Sequence, residues 1–311
     1  MRDIRIIMHE RRGNALTKQK MNDDYEFPFT LNPNIGCLFA CNYCFLQQYP
    51  FNRHAEFGTE VKVKTWVPDR LDRELSRYRD LPQHLKRVQV GVTSENFMPE
   101  VLVRTRRQLD RDIMREILET FERHWNQGNR WMVHILTKSH LVGRYLDVLA
   151  RMRHMVQVEM TLICLDENTR RQMERYSSSI QRRLRVIRQL ADNDIFVRIM
   201  AMPFMHGREE ALELRRITFD QGARAFKHKG LNYFDQDDVF RGTAHRRRRR
   251  NDTVLTGLLV ESGEPVDDET MVVVMPVSEG KRRWIRLEPR QMPVLRSGYA
   301  QLNDINWGYL I

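Results

Sequence analysis

Three of the chain's four cysteines, Cys37, Cys41 and Cys44, fall within the eight residues 37–44 of the segment NIGCLFACNYCFLQQ, spaced C-x3-C-x2-C. Three thiolates this close can hold three corners of an iron–sulfur cube. The fourth iron of such a [4Fe–4S] cluster is then open to a ligand that is not protein. An open iron suits catalysis better than electron relay. Gly36 before the first cysteine and Tyr43 before the last frame the loop. Zinc is the competing reading, with His54 completing a Cys3His set, but structural zinc takes four ligands and no second C-x2-C pair is present. A disulfide framework does not fit four cysteines in 311 residues with three of them crowded together.

The elements around the loop must position it. Apolar Val- and Ile-rich runs of strand length are expected at 32–36, 88–92, 132–136, 156–163, 195–201 and 223–226. Helical patterns are expected at 69–78, 109–125, 141–152, 179–191 and 209–221, the last stopped by Gly222. The strands read as nearly continuous apolar runs, as buried parallel strands do. Strict alternation of strand and helix implies βαβ units and a parallel sheet. Six repeats are too few for a closed eight-stranded barrel and fit a partial (βα)6 barrel. In such folds ligands sit at the C-terminal ends of the strands, and the cysteine loop follows the first strand.

The expected organisation is an N-terminal arm at 1–30, the α/β barrel at 31–234, a basic linker at 235–252 and a small β-rich appendage at 253–311. The net charge is +11, and the linker carries a block of Arg246, Arg247, Arg248, Arg249 and Arg250. Such a block attracts polyanions through counterion release, with a solvated basic loop as the plain alternative. No apolar run approaches the ~20 residues of a membrane span, and the N-terminus lacks the apolar core of a secretory signal. Free cysteines and an oxygen-sensitive cluster point to the cytoplasm.

Beyond the cysteines the resemblance narrows. The C-x3-C-x-aromatic-C motif resembles that of the radical S-adenosylmethionine (SAM) superfamily. Within it, CNYCFLQQ and four further segments resemble the spore photoproduct lyase-like, or DNA repair photolyase-like, family. Those segments are VTSENFMPEVLVRTRRQLDRDIMREILETF, HILTKSHLVGRYLDVLARM, MTLICLDENTRRQMERYSSSIQRRLRVIRQLADNDI and AMPFMHG, in the family's order. The resemblance covers residues 30–230 and implies the same partial barrel. It also implies that Cys37, Cys41 and Cys44 ligate a [4Fe–4S] cluster whose open iron binds SAM, and that one-electron reduction yields a 5′-deoxyadenosyl radical.

By the same resemblance Tyr43 lies beside the adenine, Ser94 near SAM, Lys138 at the SAM carboxylate, and Thr161 where the family has a serine hydrogen-bonding SAM. Glu174 and Arg183 match a family Glu-Pro and Arg-Leu pair, with Arg175 in place of the proline; a salt bridge serves them as well as a ligand contact. The family lyase carries a thiol hydrogen donor and a second tyrosine that relays the radical with the tyrosine before it; this chain keeps Tyr43, the catalytic candidate of that relay, but has Val92 and Phe45 at the other two positions. The same radical starter is therefore expected to serve a different ending. Cys164, which closes the fourth strand, is a candidate replacement donor, against the usual packing role of a lone cysteine. His134 reads as a core histidine, His206 as an ordinary turn residue with a place lining the site as the alternative, and the methionines at 200, 202 and 205 as packing residues with cleft lining as the alternative.

The expected function is a radical SAM enzyme acting on nucleic acid, with flavodoxin or ferredoxin as reductant. The alternatives are radical modification of a peptide or small molecule, and a non-catalytic iron–sulfur or zinc module that binds nucleic acid or senses redox state.

Overall fold

The computed structural model describes residues 3–10, 12–19, 27–44, 46, 57–203 and 208–228, with short strands at 271–274, 277–278 and 281–282. The N-terminal residues supply β1 (Arg5–Met8), β2 (Leu16–Lys18), β3 (Phe29–Leu31) and β4 (Asn34–Ile35). Next come β5 (Glu60–Val63), α1 (Val67–Arg77), β6 (Arg87–Val90), α2 (Pro99–Leu109), α3 (Ile113–Asn126), β7 (Met132–Thr137) and α4 (Leu146–Arg151). Then follow β8 (Val156–Thr161), α5 (Glu167–Met173), α6 (Ile180–Ala191), β9 (Phe196–Ala201), α7 (Arg208–Asp220) and β10 (Ala225–His228).

Strands β3, β6, β7, β8, β9 and β10 are parallel neighbours in that order, which is the six-stranded partial barrel the alternation predicts. The first barrel strand lies earlier than the sequence suggests. It ends at Leu31, because Pro33 has no amide to give a ladder and the chain turns away into β4. β4 pairs with β5, and β5 with β1, in a small separate sheet. The N-terminal segment also contributes β2, antiparallel to β3 on the edge of the main sheet. It is tied down by Glu74 of α1, which accepts from the amides of Ala15 (3.2 Å) and Leu16 (2.8 Å). At the other edge β11 (Met271–Val274) runs parallel to β10, so this part of the expected appendage extends the sheet itself. β12 (Val277–Ser278) and β13 (Lys281–Arg282) pair as an antiparallel hairpin.

The helices form where apolar residues recur at helical spacing behind good caps. Val67, Leu71 and Leu75 are buried on α1, which has Pro68 in its first turn. α3 buries Ile113, Ile117, Leu118 and Phe121 behind Asp112, whose carboxylate accepts from the Arg115 amide. α6 is capped by Ser179 in the same way. Each fully buried aliphatic side chain contributes about 1.5–3 kcal/mol, so the helix-facing residues of the strands and these stripes hold the barrel closed.

The barrel strands are not uniformly apolar. Val88, Val90, Val133, Ile135, Val156, Val158, Val197 and Ile199 join the apolar core, while the residues between them include Gln89, His134, Gln157, Glu159 and Arg198. Gln89, His134, Gln157 and Phe196 lie in one row across β6–β9, and Leu136, Glu159 and Arg198 in the row two residues on. Gln89 donates to Glu159 (2.9 Å) over the intervening β7, a reach that only the concave side of a curved sheet permits. Glu159 and Arg198 form an ion pair with neither side chain exposed. The lumen is therefore polar and the outer face apolar, a period-2 pattern visible in VQVEMT and FVRIMA. Among the described residues no helix is long and apolar enough to cross a membrane.

Candidate active site

The cysteine loop leaves β4 at Gly36, whose φ of +86° and close approach to the Glu60 carbonyl exclude a Cβ. The loop then reaches across the barrel mouth. Asn42 donates its amide to the Met173 carbonyl (2.9 Å) and its side chain to the Gln172 carbonyl (2.6 Å), while the Tyr176 amide donates to the Phe39 carbonyl (3.3 Å). A loop that follows the first barrel strand is thus latched to the segment that follows the fourth. The Leu38 amide rests on the Met98 sulfur (3.2 Å), just before α2.

The ends of the second, third and fourth barrel strands converge on this loop. From the second, the Ser94 hydroxyl donates to the Gly36 carbonyl (2.5 Å), so in this structure Ser94 fastens the loop. Beside it, Glu95 is buried and accepts from the Asn96 and Phe97 amides (3.0 Å each), the Thr137 hydroxyl (2.7 Å) and the Lys138 amide (2.8 Å). One carboxylate thereby joins the second and third strand ends. Burial nonetheless holds Glu95 above the usual carboxylate range. Sequence reasoning missed Glu95; its partners lie 42 and 43 residues away, and no local pattern announces them.

From the third strand end, the Lys138 ammonium stands 5.7 Å from the centre of the Tyr43 ring and 4.0 Å from Glu174. Beyond the fourth, Glu174 is fully buried and is the hub of the site. It accepts from the Tyr43 hydroxyl and from Arg183 (2.5 Å), and Arg183 in turn donates to the carbonyls of Thr161 and Ser178 (2.8 Å each) and to the Ser177 hydroxyl (2.5 Å). Burial alone would raise the Glu174 pKa, but Arg183 and Lys138 outweigh it and hold the group below its usual value. Burial and the Glu174 charge push the Tyr43 phenol well up, so Tyr43 stays a hydrogen-bond donor. Glu174 and Arg183 make the salt bridge the sequence allowed, and the bridge carries Tyr43 as well.

Burial raises all three loop thiols, Cys44 to about 12, and Lys138 is a charge that opposes this at each of them. Three thiols on one loop, each within reach of the Lys138 charge, supply the donor type that iron–sulfur clusters use. Among the described residues no three His, Cys, Asp or Glu side chains are grouped as ligands of a single ion would be. The Thr161 hydroxyl, 1% exposed on the concave face at the end of β8, has no hydrogen-bond partner among the described residues. A buried hydroxyl without a partner is costly and fits a position that a polar ligand completes. The residues present therefore fit a cluster and a SAM-like ligand.

Cys164 is buried just past β8, its thiol donating to the Asp166 carbonyl (3.4 Å), and burial followed by the Glu174 charge pushes its pKa to about 12. Val92 is half-buried beyond the end of β6. His134 packs in the barrel interior, its ring 4.5 Å from that of Phe27. His54, Phe45, His206 and Arg246–Arg250 lie outside the described residues.

The family model of the radical SAM superfamily matches residues 31–215. An uncharacterized protein of Methanocaldococcus jannaschii is 25% identical over 169 residues, covering 54% of this chain and 56% of that protein, so the chain spans about half of that relative's length. A spore photoproduct lyase double variant, solved with AdoMet and dinucleoside spore photoproduct, is similar with a TM-score of 0.57. It is 16% identical and covers 76% of this chain and 65% of its own. Streptococcus suis SuiB is similar with a TM-score of 0.53, 15% identity and coverage of 81% and 50%. At these identities the likeness to the solved structures carries the fold.

Proposed function

The chain belongs to the radical SAM superfamily, and on that footing we propose that it is an enzyme that cleaves SAM at a [4Fe–4S] cluster held by Cys37, Cys41 and Cys44. Bound together, the cluster and SAM supply a 5′-deoxyadenosyl radical, and the protein's part is to orient, bind and exclude water. The observation that carries the reading is the convergence of three strand ends on one loop of three thiols that follows the first strand, with Lys138 acting on all three. Lys138 offers a compact point charge for a carboxylate. Thr161 offers the hydroxyl that lacks a partner, Tyr43 a buried aromatic face, and Ser94 holds the loop in register. Glu174 keeps both Tyr43 and Lys138 on the mouth side. The direct test is anaerobic: chain reconstituted with iron and sulfide, reduced with dithionite and given SAM yields 5′-deoxyadenosine and methionine. A chain that loads iron and never cleaves SAM would sink the reading.

A nucleic-acid substrate is supported by the net charge of +11 and the Arg246–Arg250 block. The ending differs from that of the lyase. Valine at 92 has no S–H to give, and phenylalanine at 45 no hydroxyl. We expect no thymine monomers from DNA carrying spore photoproduct under conditions where SAM is cleaved; SAM-dependent release of monomers would overturn this.

Cys164 offers an S–H at the same mouth, held in its protonated form. With Cys164 as donor of a hydrogen atom, product formed in D2O carries solvent deuterium, and Cys164→Ala loses that label while keeping its iron. Label retained in the variant removes Cys164 from the chemistry.

A further inference from the structure

A cluster shielded by its own loop needs an external electron source, and electron transfer falls off exponentially with distance, so the donor must approach where the chain runs shortest to the thiols. That route is visible. The segment 172–176 makes three hydrogen bonds to Phe39 and Asn42, and Asn42 is bonded directly to Cys41 along the chain. The same stretch turns a cationic surface outward. Arg175 is exposed, Tyr176 beside it is 43% exposed, and Arg182 and Arg185 stand on the exposed side of α6. Arg182 and Arg185 both bear on His140, which is hydrogen-bonded to Ser178 (2.8 Å), so both lie near Ser178, three residues along the chain from Arg175.

The nearby acids are engaged elsewhere. The Asp166 carboxylate caps α5 at the Thr169 amide (2.6 Å). Glu167 accepts from Arg170 (2.8 Å) and the Ile180 amide (3.2 Å). Glu174 is turned inward to Tyr43 and Arg183. Among the described residues Arg175, Arg182 and Arg185 have no carboxylate within salt-bridge distance.

We propose that this face, built on Arg175, Tyr176, Arg182 and Arg185, docks a small acidic electron-transfer protein that reduces the cluster. The inference rests on the radical SAM reading. A few exposed guanidinium groups without a carboxylate partner among the described residues, with an exposed aromatic side chain on the same stretch, suit a brief, electrostatically steered encounter, and redox complexes sit at the small end of interface sizes. The bonds from this segment to the cysteine loop favour an electron carrier over a nucleic acid, which has no use for that route.

The test replaces the three arginines together (Arg175→Glu, Arg182→Glu, Arg185→Glu) in the reconstituted full chain. Cluster reduction and 5′-deoxyadenosine are followed with two reductants: dithionite, and an acidic flavodoxin that reduces the unmodified chain. The expected result is a fall of about tenfold or more in the flavodoxin-driven rate at low salt, narrowing as salt screens the charges, with dithionite-driven SAM cleavage unchanged. Because all three side chains are exposed, the variant should fold; the milder replacement of all three by glutamine should lie between the two. An unchanged flavodoxin rate overturns the proposal. So does an equal fall with both reductants, or a loss of duplex DNA binding with flavodoxin reduction intact. Failure of the unmodified chain to cleave SAM with dithionite sinks the enzyme reading instead.

Discussion

Alanine at Cys41 should abolish SAM cleavage and leave the barrel folded. Cys41 is the middle thiol of the three and is buried at 6% exposure. Its neighbours hold the backbone independently of the thiol: Asn42 through two carbonyls at the end of α5, Phe39 through Tyr176, Tyr43 through Glu174. Loss of the sulfur therefore removes one of three attachment points without releasing the loop. Two thiolates cannot present a cube with a single open corner, so iron content should fall to a small fraction of the unmodified value and 5′-deoxyadenosine to background. The far-ultraviolet dichroism spectrum and melting temperature of the metal-free chain should change little. Full activity in Cys41→Ala would mean that the loop is not the cluster site.

The second large effect is on stability. Glu159→Ala should destabilise the metal-free chain by about 3–5 kcal/mol, a large share of the 5–15 kcal/mol typical of a domain. Glu159 and Arg198 are both fully buried in the barrel lumen, and Glu159 also accepts from Gln89. A guanidinium cannot shed its proton in the accessible pH range. Without Glu159 it keeps its charge where water does not reach, and this sets the size of the loss. The double replacement Glu159→Leu with Arg198→Met removes both charges and should recover most of it, since apolar pairs of similar volume often match or exceed a buried ion pair. Urea unfolding followed by circular dichroism reads both. A loss below about 1 kcal/mol for Glu159→Ala would show that other lumen groups carry the Arg198 charge.

The order of the six barrel strands, one helix in each crossover and the thiol loop were legible because each is local. Alternating apolar periods need only a short window, and C-x3-C-x2-C needs eight residues. Three features were not legible, for physical reasons. The end of the first strand at Leu31 depends on β4 pairing with β5 rather than with the barrel, a competition decided between residues nearly thirty positions apart. The polar lumen was hidden because Val and Ile between Gln157 and Glu159, or beside Arg198, dominate the hydropathy of the segment, although their strict alternation was the available signal. Glu95 and Glu174 act on partners 42 and 131 residues away, where sequence pattern carries no distance information. The family resemblance pointed to Glu174 and Arg183 as a pair. Only the folded chain attaches Tyr43 to them.

The latch across the barrel mouth also sets an order of events during synthesis. Cys37, Cys41 and Cys44 leave the ribosome well before the residues that hold their loop, since Gln172, Met173 and Glu174 lie about 130 positions later. At 5–20 residues per second that interval is roughly 6–26 s, during which the thiols hang on an unbacked segment. Iron delivered then would meet a flexible peptide without the Lys138 and Glu174 charges that shape the finished pocket. Cluster loading is therefore expected only after α5 has been made. A truncated chain ending before α5 should bind iron poorly however intact its three cysteines are.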